Sequence, residues 1–136
     1  MVCLDSDVLI DFFRNDKETV KKIIELKNRG LELATTTINS FELLKNSSKL
    51  NIEEISKIKS FLRDTLIFDF DFNSSIKAAE IFDYLKLKGE PLDIADIMIA
   101  AITITNNQSL LTRNIKHFSR IAELKLESFA QISPNL

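Results

Sequence analysis

The stretch VCLDSDVLIDFF, residues 2–13, decides the fold that we expect for this sequence. Its first three residues, Val2 to Leu4, form a short apolar run that is typical of a buried β-strand, and Asp5 follows directly. Ser6 or Asp7 can cap a helix here, because the apolar residues that follow recur at helical spacing. Asp5 is itself a good cap residue, so its position after the strand does not by itself establish a functional site.

Short apolar strands alternate with amphipathic helices along the rest of the chain. Two glycines and two prolines are few for this length and favour long helices with short connections. Further strands are predicted over residues 31–34, 65–70, 109–111 and 124–126. Further helices are predicted over residues 20–30, 37–45, 52–62, 76–89, 94–105 and 113–118. Asn73 or Ser74 is the expected cap of the helix over 76–89, and Asp93 is the expected N-cap of the helix over 94–105. In the helix over 37–45, Ile38, Phe41 and Leu44 are expected to face inward. This alternation predicts an α/β domain of three α/β/α layers, with a central, mainly parallel sheet and dominant helices.

Length and composition narrow the class of protein. A chain of 136 residues with 45% hydrophobic and 28% charged residues forms one folded domain, which we expect to span residues 1–136. No apolar run is long enough for a membrane span, and Asp5 and Asp7 interrupt the segment where a signal peptide would be apolar. These features predict a cytoplasmic protein without a membrane partner.

The scarcity of cysteine and histidine restricts the metals that this chain can bind. One cysteine and one histidine exclude an intrachain disulfide, a thiolate zinc site and a multi-histidine site. A metal site must therefore use oxygen ligands, which suit Mg²⁺ or Mn²⁺. The net charge of −2 means that binding to a nucleic acid would need a local basic patch.

Three acids in otherwise apolar surroundings are the candidates for such a site. Asp96 lies among small and apolar residues of the helix over 94–105, where an unpaired charge would be costly to bury. Alternatively, Asp96 lies on the exposed side of the first turn, Glu42 on an exposed helix face, and Asp93 serves only as an N-cap. If Asp5, Glu42 and Asp96 converge, their mutual repulsion favours the binding of a divalent cation.

Four segments, in the same order along the chain, carry a resemblance to a known family. They are residues 4–10 (LDSDVLI), residues 35–43 (TTTINSFEL), residues 96–101 (DIMIAA) and residues 111–118 (LTRNIKHF). The sequence resembles the PIN-domain ribonucleases and, within them, the VapC-like toxins of type II toxin–antitoxin pairs. The resemblance covers nearly the whole chain and implies a PIN-like fold.

The resemblance also implies a metal-dependent endoribonuclease and a role for each matching residue. Asp5 and Asp96 would be the principal ligands of Mg²⁺ or Mn²⁺, and Glu42 would orient or deprotonate the attacking water or contact the metal. Asn114, where many relatives have a fourth acid, and Asp93 would complete the outer site. Ser6 would orient the carboxylates, although a helix cap explains it equally well.

Substrate and partners are likewise expectations from the resemblance. Arg14, Lys45, Arg113 and Lys116 are candidates for positioning RNA phosphates. The family implies a homodimer and inhibition by a cognate antitoxin. Phe12, Phe13, Phe41 and Phe61 are mostly expected in the core, but they can also leave an apolar groove for a partner.

Two alternatives remain open from the sequence. A nuclease-inactive PIN scaffold would bind RNA or a protein without cleaving it. A haloacid-dehalogenase-like phosphotransferase also begins with a strand and Asp-x-Asp, which Asp5 and Asp7 match. That family would want Thr or Val where Leu9 stands, and its later lysine motif has no clear counterpart.

Overall fold

Five parallel strands form the centre of the computed structural model, which describes residues 1–129. The strands are β1 (Val2–Leu4), β2 (Leu33–Thr36), β3 (Leu66–Phe68), β4 (Ser109–Leu111) and β5 (Lys125–Glu127). Their order across the sheet is β3-β2-β1-β4-β5, and every neighbouring pair is parallel. The first strand is therefore central, and the functional acid predicted at its end lies in the middle of the sheet edge.

Seven α-helices connect the strands within the described residues. They are α1 (Ser6–Phe13), α2 (Lys17–Asn28), α3 (Thr37–Leu44), α4 (Ile52–Arg63), α5 (Phe72–Leu87), α6 (Ile94–Thr105) and α7 (Ile115–Phe118), with a short 3₁₀ turn at Ser47–Lys49 between α3 and α4. The predicted alternation of strands and helices is confirmed. The predicted domain of residues 1–136 extends past the part that the structure describes.

The core has two halves, one on each face of the sheet. Cys3 points into a cluster with α5 and α6 that includes Leu85 and Ile99. Its neighbours Val2 and Leu4 point into the opposite cluster with α1, α2 and α4. Successive residues of a strand face opposite sides, so one short strand supports both layers of helices. The three-layer α/β/α arrangement is thus confirmed.

Helix α6 is the most deeply buried helix beneath the sheet. Six of its residues, Ile97 and Ile99–Thr103, are buried, as the nearly uniform apolar character of this segment predicts. Its first turn carries Asp96, which is brought close to the end of β1. The burial of this helix therefore fixes the position of one candidate acid relative to another.

Several element boundaries and caps differ from the sequence-based expectations. Strand β2 extends over Leu33–Thr36 instead of residues 31–34, because residues 34–36 pair with Leu66–Phe68 of β3. Strand β3 covers only Leu66–Phe68 of the predicted residues 65–70. Strand β5 is Lys125–Glu127 instead of residues 124–126, and α7 begins at Ile115 instead of Arg113.

The caps of α1 and α5 also move toward the amino terminus. Asp5, rather than Ser6 or Asp7, is the N-cap of α1, and its side chain accepts from the Ser6 amide. Asp71, rather than Asn73 or Ser74, caps α5 by accepting from the Ser74 amide. In both helices, the N-cap is an aspartate that precedes the predicted cap residues in the sequence.

The prediction that Phe41 faces inward is wrong. Its side chain is 65% exposed, whereas Asn39 and Leu43 are buried. Residues four apart share one face of a helix, so Asn39 and Leu43 define the inner face of α3 and Phe41 points away from it. Phe41 instead adds apolar surface near Glu42.

None of the helices within residues 1–129 is both long enough and apolar enough to cross a membrane.

Candidate active site

The carboxyl ends of three neighbouring strands bring the candidate residues to one edge of the sheet. Asp5 follows β1, α3 begins directly after β2, and Thr112 follows β4. These strands are adjacent and parallel, so the segments that follow them leave the sheet at the same edge. Binding sites of open α/β sheets are usually found at this edge.

The carboxylate of Asp5 lies at the centre of the hydrogen-bond network. One oxygen, Oδ1, accepts from the Ser6 amide at 2.8 Å and from Asn39 Nδ2 at 3.0 Å. The other oxygen, Oδ2, accepts from Thr112 Oγ1 at 2.7 Å. Burial and, to a smaller extent, the charges of Asp7 and Glu42 raise the pKa of Asp5 to about 6. Asp5 therefore caps α1 and is also a buried acid with a raised pKa, so capping does not exclude a catalytic role.

A chain of buried and partly buried hydrogen bonds connects Asp5 with Glu42. Asn39 Oδ1 accepts from Thr36 Oγ1 at 2.7 Å, which directs the Asn39 amide protons toward Asp5 Oδ1 and toward Ser6 Oγ at 2.8 Å. The Ser6 hydroxyl then donates to Glu42 Oε1 at 2.7 Å. Ser6 thus contacts Glu42 directly, while Asn39 holds Ser6 and Asp5 at the same time. Such support of functional carboxylates by neighbouring donors is how enzymes fix their orientation.

Asp96 has a different environment from Asp5. It is half-buried in the first turn of α6, and its side chain makes no hydrogen bond or ion pair with any of residues 1–129. Burial raises its pKa to about 6, helped by the charges of Asp5, Asp93 and Glu42, while His117 acts in the opposite direction. The alternative of a fully solvated residue on the exposed side of the helix is therefore not supported. Asp5, Glu42 and Asp96 lie close enough to influence one another electrostatically.

The segment after β4 is attached to the site by Asp7 and Asn114. Asp7 Oδ2 accepts from the Arg113 amide at 3.0 Å, and burial is the largest cause of a raised pKa at Asp7. The Asn114 amide donates to Thr112 Oγ1 at 3.0 Å, and its side-chain nitrogen contacts His117 Nδ1 at 2.8 Å. These contacts hold Thr112, the donor to Asp5, in place.

Asp93 occupies the N-cap position of α6, but its side chain makes no capping hydrogen bond. The predicted N-cap position is thus confirmed, while the capping interaction that would have explained the acid is missing. Asp93 is exposed and its charge contributes to the raised pKa of Asp96. A place at the outer edge of the site remains a prediction for this residue.

The four candidate RNA-positioning cations divide into two groups. Arg113 is engaged within the protein: its guanidinium contacts Asp11 at 2.9 Å and Asp16 at 3.1 Å, and it lies 4.2 Å from the centre of the Phe129 ring. The others, Arg14, Lys45 and Lys116, are exposed and form no ion pair with any residue that the structure describes. These three remain free for an anionic ligand.

The oxygen donors of the site have the chemistry that a hard divalent cation requires, but they are widely spaced. Within residues 1–129, no three Asp, Glu, His or Cys side chains lie close enough together to hold a metal ion as they stand. The charges of Asp5, Glu42 and Asp96 nevertheless repel one another, and these three residues form no ion pair with the described part of the chain. Oxygen donors with uncompensated charge are the ligands that Mg²⁺ and Mn²⁺ prefer.

Sequence reasoning missed Asn39, Thr112 and Asp7 as separate members of this network. Asn39 and Thr112 are fully buried polar residues, and each donates to Asp5. A signal was present for Asn39, since it precedes the inward-facing Leu43 by one helical turn and is polar. A buried amide at such a position needs polar partners, which indicates a functional or structural network.

Comparison with known proteins agrees with this fold. Residues 2–124 match the PIN domain family. The chain is 28% identical over 128 residues to ribonuclease VapC1 of Methanocaldococcus jannaschii, an alignment that covers 94% of this chain and 86% of the relative. It is 30% identical over 103 residues to ribonuclease VapC3 of the same organism, covering 73% of this chain and 94% of the relative.

A solved structure shows the same similarity in three dimensions. It is the crystal structure of VapBC2 from Rickettsia felis bound to a DNA fragment from its promoter, with a TM-score of 0.83 and 27% identity. The match covers 93% of this chain and 98% of that chain. Because the family match spans almost all of the described residues and the relatives are matched over most of their length, this chain belongs to the PIN-domain family, on its VapC ribonuclease branch.

Proposed function

We propose that this protein is a VapC-type endoribonuclease toxin that hydrolyses phosphodiester bonds in RNA and is inhibited by a cognate antitoxin. The observation that carries the proposal is the grouping of Asp5, Glu42 and Asp96 at the carboxyl edge of the sheet, where none of them forms an ion pair with a described residue. The similarity to proteins named ribonuclease VapC supports RNA as the substrate class. The match to VapBC2 supports an antitoxin as the partner.

The metal is part of the proposal. Asp5 and Asp96 would be the main protein ligands of Mg²⁺ or Mn²⁺, with Glu42 near them and with Asn114 and Asp93 in the outer site. Such an ion, when bound, polarises a phosphoryl oxygen and lowers the pKa of a coordinated water.

The protein's own residues account for the orientation and the proton transfer. Glu42, held by the Ser6 hydroxyl, is placed to accept a proton from the attacking water. The water oxygen forms the new bond to phosphorus, the bond from phosphorus to the 3′ oxygen breaks, and that oxygen takes up a proton. The products would carry 5′-phosphate and 3′-hydroxyl ends.

The network behind the carboxylates restricts their movement. Asn39 and Thr112 donate to the two different oxygens of Asp5, so that carboxylate cannot rotate without losing a buried hydrogen bond. Ser6 is held by Asn39 and in turn holds Glu42. This preorganisation is the contribution that the protein itself makes to the geometry of the reaction.

RNA has to approach an acidic site, so cations outside the carboxylate cluster should neutralise its phosphates. Arg14, Lys45 and Lys116 are the free candidates, while Arg113 would contribute mainly by holding the segment after β4. A cytoplasmic location is also part of the proposal. A homodimer remains part of the proposal as an expectation of the family.

One incubation tests the activity and the product chemistry together. Antitoxin-free protein is mixed with a pool of cellular RNA in Mn²⁺ or Mg²⁺, beside a sample with EDTA, and the new ends are identified by ligation with and without prior phosphatase treatment. We expect cleavage only with metal, and products with 5′-phosphate ends. RNA binding without any cleavage would favour the inactive-scaffold alternative, and hydrolysis of small phosphate esters instead of RNA would favour the phosphotransferase alternative.

A further inference from the structure

A groove with a volume of about 410 Å³ lies between α1, α3 and α4, and Glu42 is among the residues that line it. Pockets of roughly 300–1,000 Å³ are the size that accepts a small ligand. Glu42 also accepts from Ser6 in the carboxylate network, so this residue belongs both to the groove and to the candidate active site. A ligand seated in it would therefore touch the group that we assign to the attacking water.

The rim of the groove carries more positive than negative charge. Arg14, Lys49 and Lys57 line it, against the two acids Glu42 and Glu54, in a chain whose overall charge is −2. All three cations are exposed, and none forms an ion pair with a residue of the described chain. Arg113, in contrast, is held by carboxylates at 2.9 and 3.1 Å. Three cations without an ion-pair partner in the described chain therefore line the groove, where an anion can reach them.

The floor of the groove is apolar and includes an aromatic ring. Phe13 lines the groove together with Ile10 and Leu50. The Phe13 ring packs edge-on against Phe61, with 5.2 Å between ring centres, and against Phe12 at 5.7 Å. These contacts fix the ring, and a fixed ring beside cations is the combination that binds a base and its phosphates in single-stranded nucleic acids.

We propose that this groove is a nucleotide-binding subsite that holds single-stranded RNA beside the bond to be cleaved. The phosphates contact Arg14, Lys49 and Lys57, and a base lies on the apolar floor next to Phe13. The inference rests on the proposed function, because it assigns the strand that Glu42 acts on. An RNA occupant fits better than an apolar peptide, because three unpaired cations surround the floor.

The test compares two double variants that change the net charge equally. Arg14→Gln/Lys57→Gln removes two cations of the groove, and Lys59→Gln/Lys86→Gln removes two exposed lysines that do not line it. Each double change is made in full-length Asp96→Asn protein with EDTA, so that RNA is bound without being cut. Binding of a fluorescent single-stranded RNA 12-mer is followed by anisotropy between 50 and 200 mM salt, and thermal unfolding checks that each variant is folded.

We expect the groove variant to bind RNA about 25-fold more weakly at 0.1 M salt, with the control within about twofold of the parent protein. The salt slope of log K should fall by about 1.4, since each contact with a single-stranded phosphate contributes about 0.7. Equal weakening in both variants would show a general charge effect and overturn the proposal, as would unchanged binding in the groove variant.

The same two double variants are also made in protein that retains Asp96. Their cleavage of RNA in Mn²⁺ separates this inference from the proposed function. Cleavage that occurs normally in the groove variant, with unchanged KM for RNA, would overturn the subsite and leave the ribonuclease assignment intact. Absence of cleavage in every protein, together with selective loss of RNA binding in the groove variant, would support the subsite and count against the assigned reaction. If the groove variant keeps full RNA affinity but loses affinity for a purified VapB-type antitoxin, the groove is a partner site and the RNA proposal is wrong.

Discussion

At the scale of single residues, the site is a balance between carboxylates that repel one another and donors that hold them. Asp5 receives three hydrogen bonds, whereas Asp96 receives none from the described chain. The two acids nevertheless have similarly raised pKa values, because burial is the largest cause for both. Because only Asp5 is hydrogen-bonded within the described chain, the two acids should respond differently to substitution.

Replacing Asp96 should separate activity from stability. Asp96→Asn removes a candidate metal ligand and should lower RNA cleavage by about 100-fold or more. It breaks no hydrogen bond with residues 1–129 and relieves repulsion from Asp5 and Glu42, so the metal-free protein should be as stable as before or about 1–2 kcal/mol more stable at pH 7. Urea unfolding in EDTA measures the stability, and severe unfolding of this variant would contradict the assigned repulsion.

Asn39 is predicted to be a positioning residue for both Asp5 and Glu42. Asn39→Ala removes the donor to Asp5 Oδ1 and to Ser6 Oγ, which leaves buried polar atoms unpaired at a cost of about 1–3 kcal/mol. We expect kcat to fall by about 10- to 100-fold, with little change in KM for RNA, because the carboxylates lose their orientation.

The matched control for Asn39 is Asn51→Ala, which removes the N-cap of α4 without touching the carboxylate network. The lost cap should cost about 1 kcal/mol of stability but leave kcat unchanged. An equal fall in kcat for both variants would show that Asn39 acts only through general stability.

At the scale of elements, Arg113 connects the segment after β4 with α1 and the beginning of α2. Its guanidinium contacts Asp11 and Asp16, and its backbone amide contacts Asp7. Arg113→Ala should lower stability by about 1 kcal/mol, because partly exposed ion pairs are individually weak and the remaining acids repel one another. It should also lower cleavage, since Thr112 and its hydrogen bond to Asp5 lie in the adjacent position.

The comparison that distinguishes this role from RNA binding is the salt dependence. If Arg113 acts inside the protein, the salt slope of RNA binding in the Arg113→Ala variant should stay close to that of the parent. A slope that falls by about 0.7 would instead indicate a lost phosphate contact and would restore the RNA-positioning role predicted from the sequence.

The elements show how far sequence reasoning reaches. The strands and helices were predictable because their apolar residues follow simple periodicities, and α6 was recognisable as a buried helix from its composition. Asp5 and Asp96 stood out because acids are unexpected beside such runs. The orientation of Phe41 was not predictable from periodicity alone, because the inner face of α3 includes the polar Asn39.

The supporting network was beyond prediction for a different reason. Asn39 reaches Asp5 across 34 positions of the chain, and Thr112 reaches it across 107. These contacts depend on the order of strands in the sheet, and no local pattern records which strand ends become neighbours. A hydrogen-bonded hydroxyl such as that of Thr112 has the same local sequence signal as an ordinary loop residue.

At the scale of the whole molecule, the raised pKa values of Asp5 and Asp96 predict how stability depends on pH. A carboxyl group whose pKa is higher in the folded than in the unfolded chain binds its proton more tightly when folded. The contribution of these two acids to the free energy of unfolding is therefore most favourable below about pH 3.8. It declines as the pH rises to about 6, and above that pH the full cost of burying their charges is present.

We expect this decline to be visible as a difference between proteins. In EDTA, the stability of the parent relative to Asp96→Asn should fall by about 1–2 kcal/mol between pH 4 and pH 7. At pH 7, millimolar Mn²⁺ should raise the melting temperature of the parent more than that of the variant, because the ion relieves repulsion only where its ligands are present. A difference that is independent of both pH and metal would contradict the electrostatic account.

The most direct measurement of the central claim is the initial rate of RNA cleavage in Mn²⁺ for three proteins: the parent, Asp96→Asn and Asp83→Asn. Asp83 is an exposed acid on α5, so its replacement changes the net charge equally and leaves the site untouched. The account predicts similar rates for the parent and Asp83→Asn, both abolished by EDTA, and a loss of about 100-fold or more in a folded Asp96→Asn protein. Cleavage by Asp96→Asn at the parental rate would contradict a carboxylate site built on Asp5, Glu42 and Asp96.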